Sequence, residues 1–282
     1  MNYRHAFHAG NFADVMKHAT LALLIERLKE KPAAFRVIDT HAGVGLYDLA
    51  GDAASRTGEW RNGIGRVFDA TPDPDLAALL SPYLAVVKAA NPAGGLRFYP
   101  GSPSIARHLL RRQDRLTAVE LHAEDVESLR ANFRDDRQVR VVALDGRLAL
   151  GAFVPPKERR GLVLVDPPFE ERDEFEALAE GFIKAHRRWP TGIYALWYPV
   201  KDLAAIDGLR QTLAASGIRR LTMAELSIRP RDTPDAFNGA GLILCNAPWR
   251  FGETLSALLN GLTPLLATGR GAAANVEELA GE

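Results

Sequence analysis

Asp166-Pro167-Pro168-Phe169 sets an acid, two prolines and an aromatic ring directly after an apolar run, Gly161-Leu162-Val163-Leu164-Val165. Proline fixes φ and has no N–H, so the carbonyls here lack a ladder partner and point outward. A carboxylate, a free carbonyl and a flat ring make a socket for a planar amine such as that of adenine. The chemistry to expect is methyl transfer to the exocyclic nitrogen of a nucleobase. The alternative is that the prolines merely stop a strand, so the reading needs a cofactor site upstream.

Polar residues recur where apolar strands should stop: Asp39, Glu120, Asp145-Gly146 and Asp166. In a doubly wound sheet, ligands sit beyond the carboxyl ends of the strands. Asp39-Thr40-His41-Ala42-Gly43-Val44-Gly45 reads as a glycine turn that lets backbone approach a ligand. The third glycine of a dinucleotide fingerprint is missing, Asp48 standing in its place, and no lysine-serine/threonine ending marks a phosphate loop. A nucleoside cofactor without pyrophosphate fits better. Glu120, an acceptor-only group, suits a ribose diol, unless it is simply a surface glutamate. Asp145 could accept from an adenine amino group while the Gly146 N–H donates to a ring nitrogen; an Asp-Gly turn is the competing reading.

Lys17 and His18 lie near the start of the first expected helix, and His41 lies in the glycine turn. No spacing of a known zinc motif joins these histidines. Metal is not expected, and a helix start with Lys17 favours an anion such as a cofactor carboxylate.

The elements that must position these residues are legible from periodicity. Residues 11–29 read as an amphipathic helix and 35–39 as a buried strand. From 46 to 95 the texture turns Gly- and Pro-rich around one helix, 75–90, which suggests a small helical insertion within a single 1–282 domain. Ser102, followed by Pro103, reads as the cap of a helix to 113. Strands 115–120, 139–144, 161–165 and 192–197 then alternate with helices 123–133, 173–189 and 202–216. Strands 219–228 and 241–246, with no helix between them, should pair antiparallel at one edge. The expected fold is α/β, a mostly parallel doubly wound sheet with an antiparallel edge hairpin. Residues 272–282, small and acidic, are expected to fray.

Composition narrows the class. With 47% hydrophobic and 25% charged residues the chain looks like an ordinary globular protein, and no apolar run could span a bilayer. The single cysteine, Cys245, excludes an internal disulfide. No signal peptide is visible, so a cytoplasmic monomer without membrane association is expected. Net charge is zero, so any nucleic-acid contact must come from local clusters, among them Arg187-Arg188 and Arg219-Arg220.

Several motifs in chain order match one known family. Tyr3-Arg4-His5-Ala6-Phe7-His8-Ala9-Gly10-Asn11, Ala13-Asp14, Lys17-His18, Asp39-Thr40-His41-Ala42-Gly43 and Arg56-Thr57-Gly58-Glu59 are the first of them. Tyr99-Pro100-Gly101-Ser102-Pro103, Glu120-Leu121-His122, Asp166-Pro167-Pro168-Phe169, Tyr194-Ala195-Leu196-Trp197-Tyr198-Pro199 and Gly217-Ile218-Arg219-Arg220 follow. Together they resemble the RlmJ-type 23S ribosomal RNA adenine-N6 methyltransferases. The resemblance implies a Rossmann-like class I methyltransferase fold, S-adenosylmethionine as cofactor and 23S ribosomal RNA as partner. It implies cofactor contacts at His18, His41, Ser102, Glu120, Asp145, Gly146 and Asp166, with Asp166 also the catalytic acceptor. On the substrate side it implies Tyr3, alongside Pro167 and Phe169. Phe169 departs from the tyrosine commoner in such motifs, which puts only a hydroxyl contact in doubt. A DNA adenine methyltransferase and a non-catalytic RNA-binding protein with a vestigial cofactor site remain alternatives; a nicotinamide oxidoreductase is disfavoured by the missing glycine.

Overall fold

The computed structural model describes residues 4–171, 173–234 and 236–281. After a short 3-10 turn, His5–Phe7, come α1 (Phe12–Lys29), β1 (Arg36–Asp39) and β2 (Leu46–Asp48). Then follow α2 (Asp52–Thr57), α3 (Ile64–Asp69), α4 (Pro74–Ala89), β3 (Phe98–Pro100) and α5 (Ser102–Leu109). The chain continues through β4 (Arg115–Glu120), α6 (Ala123–Asn132), β5 (Val139–Ala143), α7 (Gly146–Ala152), β6 (Gly161–Val165) and α8 (Glu174–Arg188). It ends with β7 (Ile193–Val200), α9 (Leu203–Ala215), β8 (Leu221–Ser227), β9 (Gly239–Cys245), α10 (Phe251–Leu266) and β10 (Ala273–Ala280).

One eight-stranded sheet has the order β10-β8-β9-β7-β6-β1-β4-β5. From β5 to β7 all neighbours are parallel. The chain steps outward from β1 in one direction and returns through β6 in the other. The crevice for a ligand in such a sheet lies at that reversal, beyond the strand ends. The antiparallel pair β8/β9 is present, with β9 next to β7. It does not form the edge, because β10 pairs antiparallel outside β8, with Val276 opposite Ala224. Residues 273–280 are thus an ordered edge strand rather than a frayed tail. Val276 and Leu279 pack inward, while Glu277 pairs with Arg210 at 2.8 Å. Carboxylates along such an edge discourage pairing with another chain.

β7 runs past Trp197 to Val200 because Pro199 is harmless there: pairing with β6 stops at Leu196, so the missing N–H faces no parallel neighbour. Segment 46–95 holds β2 and three helices, not one, and β2 pairs with β3 so that Tyr47 faces Tyr99. The core lies on both sides of the sheet. Helices α1, α4, α5 and α10 cover one face, and α8 and α9 cover the other.

Helix α1 is covered on nearly every side, and Asp14, Lys17, His18 and Thr20 are buried along with its apolar residues. Burying a charge is costly unless it is paired, so polar groups on such a helix must find partners. Those partners build the site.

Candidate active site

The carboxyl ends of β1, β4, β6 and β7 open into a cavity of about 710 Å³. His18, His41, Ser102, Glu120, Asp145, Gly146, Asp166, Pro167 and Phe169 all line it. Tyr3 lies outside the described residues.

On one side the backbone holds the carboxylate. Glu120 Oε2 accepts from the Gly43 N–H at 2.8 Å, while Oε1 accepts from the Leu121 and His122 N–H groups at 2.8 and 2.9 Å. Asp145 caps α7 by accepting from the Arg147 N–H at 2.8 Å. The Thr40 hydroxyl donates to the Leu164 carbonyl at 3.0 Å, so it must accept from His41 Nδ1–H at 2.8 Å. That fixes the tautomer and leaves Nε2 as an acceptor. Burial pushes the His41 pKa down against the pull of Asp166, Glu120 and Asp145. A Cβ on Gly146 would lie 2.5 Å from the His41 ring and 2.6 Å from the Thr40 carbonyl, so only glycine permits this approach of α7.

On the other side buried ions hold it. The Lys17 ammonium donates to Asp166 Oδ2 and lies 2.9 Å from Asp14 Oδ1. Asp14 Oδ2 meets His5 Nε2 at 2.9 Å and accepts from the Gly10 N–H at 2.8 Å. Burial alone would raise the Asp14 carboxyl, but His5 and Lys17 draw it well below its ordinary value. Burial works against the Lys17 charge too, and Asp14 and Asp166 outweigh it, raising its pKa. Asp166 Oδ1 has no hydrogen-bond partner among the described residues. Beside it stand Phe169 and Trp197, ring centroids 5.7 Å apart, with Phe237 6.4 Å beyond Trp197. Phe169 takes a positive φ of 51°, sparsely populated for a residue with a side chain, and rests on Phe175 at 4.7 Å.

Two further buried groups support both sides. His18 bonds through Nδ1 to the Tyr99 hydroxyl at 2.7 Å, and Tyr99 meets Tyr83 at 3.0 Å, so α4 and β3 fix the ring. Burial takes the His18 pKa down to about 3. Asp39 lies behind the glycine turn. Burial pushes its carboxyl up to about 7 against the lowering pull of nearby Ser102 and the His41 N–H, and Oδ2 has no hydrogen-bond partner among the described residues.

Comparison with known proteins decides the family. The model of the family described as "Ribosomal RNA large subunit methyltransferase D, RlmJ" matches residues 32–277. The chain is 45% identical over 259 residues to Ribosomal RNA large subunit methyltransferase J of Escherichia coli K12, covering 92% of this chain and 91% of that one. Against the Haemophilus influenzae protein of the same name it is 42% identical, covering 94% of each. The chain belongs to the RlmJ family. A crystal structure of a Legionella pneumophila protein superposes with a TM-score of 0.87 at 32% identity, covering 96% of this chain and 98% of the other. A probable spermidine synthase from Corynebacterium glutamicum, at 15% identity and a TM-score of 0.53, shares the fold alone.

As an RlmJ-family methyltransferase the protein uses S-adenosylmethionine, and the cavity fits that donor. The lone pairs Glu120 keeps after its three backbone bonds suit a diol, and His41 Nε2 is an acceptor in the same cavity. No group of three His, Cys, Asp or Glu among the described residues is placed to hold a metal. No helix of the described residues is long and apolar enough to cross a membrane.

Two local expectations change. Ser102 is the first helical residue of α5, after Gly101 at the cap, and no side chain caps this helix. The start of α1 is not open to a cofactor anion: Asn11 accepts from the Ala13 and Asp14 N–H groups at 3.0 Å, and Lys17 is taken up by two protein carboxylates. Asp14, Trp197 and Phe237 were not singled out as site residues. Trp197 stood in a quoted motif, but nothing in its spacing marks it as cavity lining.

Proposed function

We propose that the protein methylates the N6 amino group of an adenine in 23S ribosomal RNA. The observation that carries this reading is Asp166. One of its carboxylate oxygens is fixed by buried Lys17, the other has no partner among the described residues, and the group lines the cavity together with Phe169 and Trp197. When bound, S-adenosylmethionine supplies a methyl group on a positively charged sulfur.

The chain's own residues do the rest. An adenine drawn out of its stack lies against Phe169 and Trp197. Its amino group donates one hydrogen bond to Asp166 Oδ1 and one to the Pro167 carbonyl. Those bonds localise the nitrogen lone pair that the ring otherwise delocalises. Lys17 holds Asp166 in place, so the acceptor does not reorganise as positive charge grows on nitrogen. The cationic nitrogen is strongly acidic, and its proton passes to Asp166 or to water without a strong base. Glu120, His41 and Asp145 take the cofactor's nucleoside end, with Gly146 donating from its backbone.

Asp166→Ala should cut kcat at least about 10³-fold, the upper range for removing one charge-stabilising group, while cofactor affinity changes less than about tenfold. The assay is transfer of labelled methyl to 23S ribosomal RNA, with mass mapping of N6-methyladenine and duplex DNA as a second acceptor. Near-normal turnover by the variant, or methyl on DNA alone, overturns the reading.

A further inference from the structure

β7 connects two ends of the molecule. Its last residue, Val200, lies next to cavity-lining Lys201, and its first, Ile193, follows Pro190. At 3.2–3.4 Å per residue the strand holds these ends about 25 Å apart. At the remote end the last turn of α8, the chain between α9 and β8, and the chain leaving β9 enclose a cleft of about 400 Å³.

Arg187, Arg219 and Arg220 line this cleft with His186, and no carboxylate does. None of the three guanidinium groups makes an ion pair among the described residues. Burial lowers the His186 pKa, so the charge at neutral pH is that of the arginines. The cleft has a rigid floor. Asn246 donates through Nδ2 to the Pro190 and Gly192 carbonyls, each at 2.8 Å, and its N–H donates to the Arg220 carbonyl at 3.1 Å. Both Arg220 (φ 58°) and Asn246 (φ 55°) sit in the left-handed region, a conformation the surrounding bonds must maintain. Arginines held on such a floor suit phosphate oxygens, which they bind in a planar fork.

A second observation stands beside the first. Trp249 is 82% exposed, more than any other large apolar residue described. It lies two residues beyond Ala247, whose carbonyl accepts from the Arg220 guanidinium at 3.3 Å. Leaving such a ring in water forfeits the gain of burying a large apolar surface. An exposed ring a short way along the chain from arginines without ion pairs among the described residues offers the combination that single-stranded nucleic acid uses, a base on the ring and phosphates on the cations.

We propose that this cleft and Trp249 bind a single-stranded stretch of the RNA substrate, remote from the adenine being methylated. Phosphates meet Arg187, Arg219 and Arg220, and one base stacks on Trp249. The inference rests on RNA being the substrate. Wild-type turnover on a short acceptor fragment keeps failure of that reading apart from failure of this one.

The test compares the full-length protein with Arg219→Gln/Arg220→Gln and with Trp249→Ala. Each is assayed on a long 23S ribosomal RNA transcript and on the shortest fragment still methylated. On the long transcript, Kd and KM should rise about tenfold for each variant with kcat unchanged, as one lost base stack or a pair of phosphate contacts requires. For the arginine pair the slope of log affinity against log salt should shrink by about 0.7 per lost phosphate contact. Turnover on the short fragment and S-adenosylmethionine affinity should stay as in the wild type. Unchanged affinity for the long transcript overturns the proposal and leaves the cleft to a protein partner; equal losses on both RNAs overturn it as well. A measurement needing no variant runs in parallel. Long RNA carrying 4-thiouridine should photocross-link to the wild-type peptide 246–250, and cross-links confined to the catalytic cavity contradict the proposal.

Discussion

Glu120 and Asp166 both stand where a parallel strand stops, and both line one cavity, yet they are held by different means. Glu120 accepts from three backbone N–H groups. Asp166 is held by a buried ammonium that also answers to Asp14. Backbone donors are neutral, cannot titrate and are present wherever the chain is folded. A buried ion network stands only while every member is charged, because removing one partner leaves the others desolvated and unpaired. The side of the cavity proposed for the cofactor is therefore built on the fold itself. The side proposed for the amine depends on a few side chains brought in by α1.

Lys17→Met tests this contrast hardest. It leaves Asp14 and Asp166 buried without their shared cation, a change that costs about 3–5 kcal/mol. At about 2–4 °C per kcal/mol for a domain of this size, Tm should fall by roughly 10 °C. Methyl transfer should collapse with it. Adding Asp14→Asn should restore part of the stability and none of the turnover, measured by calorimetry and methyl incorporation. Equal Tm values for Lys17→Met and wild type would show that the network contributes nothing, and the contrast would disappear.

The same contrast explains what could be read from the sequence. Asp39, Glu120, Asp145 and Asp166 were legible because a strand's end is marked locally, by a polar residue after an apolar run. The parallel sheet followed from the alternation of strands and helices. Asp14 and its bond to Lys17 were not legible as a buried pair, since acid and base three apart look like a solvated helix face. Only the covering of α1 from several sides turns that face inward. Strand β10 failed for a similar reason: Ala273–Ala280 is polar and small, and it becomes a strand by pairing with β8. Helix α10 was not among the expected elements, although Phe251, Leu255, Leu258, Leu259, Leu262 and Leu266 stand at helical spacing.

Glu120→Ala probes the backbone-held side, and its effect should be smaller. The three N–H groups lose their acceptor and turn to water at the cavity wall, so Tm should drop by only a few degrees, as for about 1–2 kcal/mol. Affinity for S-adenosylmethionine should weaken about 10- to 100-fold, the worth of one or two charge-assisted hydrogen bonds to a diol. At saturating cofactor, kcat should stay within about threefold of wild type. Titration calorimetry and steady-state kinetics read these separately. A kcat loss at saturation as large as that expected of Asp166→Ala would mean that the two sides are not separable.

Asp39 lies between the sides and belongs to neither until its charge is known. Burial raises its pKa to about 7, above the ordinary 3.8. The folded protein then keeps a proton that the unfolded chain gives up from about pH 4 upward. Stability attributable to Asp39 is therefore full below pH 4, declines as pH rises to about 7, and is level beyond. For a shift of this size the loss amounts to at most about 4 kcal/mol. His18 acts in the opposite sense. Its pKa falls from 6.5 to about 3, so its contribution is full above pH 6.5 and is lost as pH falls toward 3. Between pH 4 and 6.5 the two slopes oppose each other and flatten the wild-type profile. Asp39→Asn keeps the shape of the neutral acid and removes only the first slope. The variant should match wild type near pH 4 and exceed it by several degrees at pH 8, in thermal melts taken from pH 4 to 9. A difference that does not change with pH would mean that Asp39 stays ionised throughout, and the charge-held side of the cavity would then extend beneath the glycine turn.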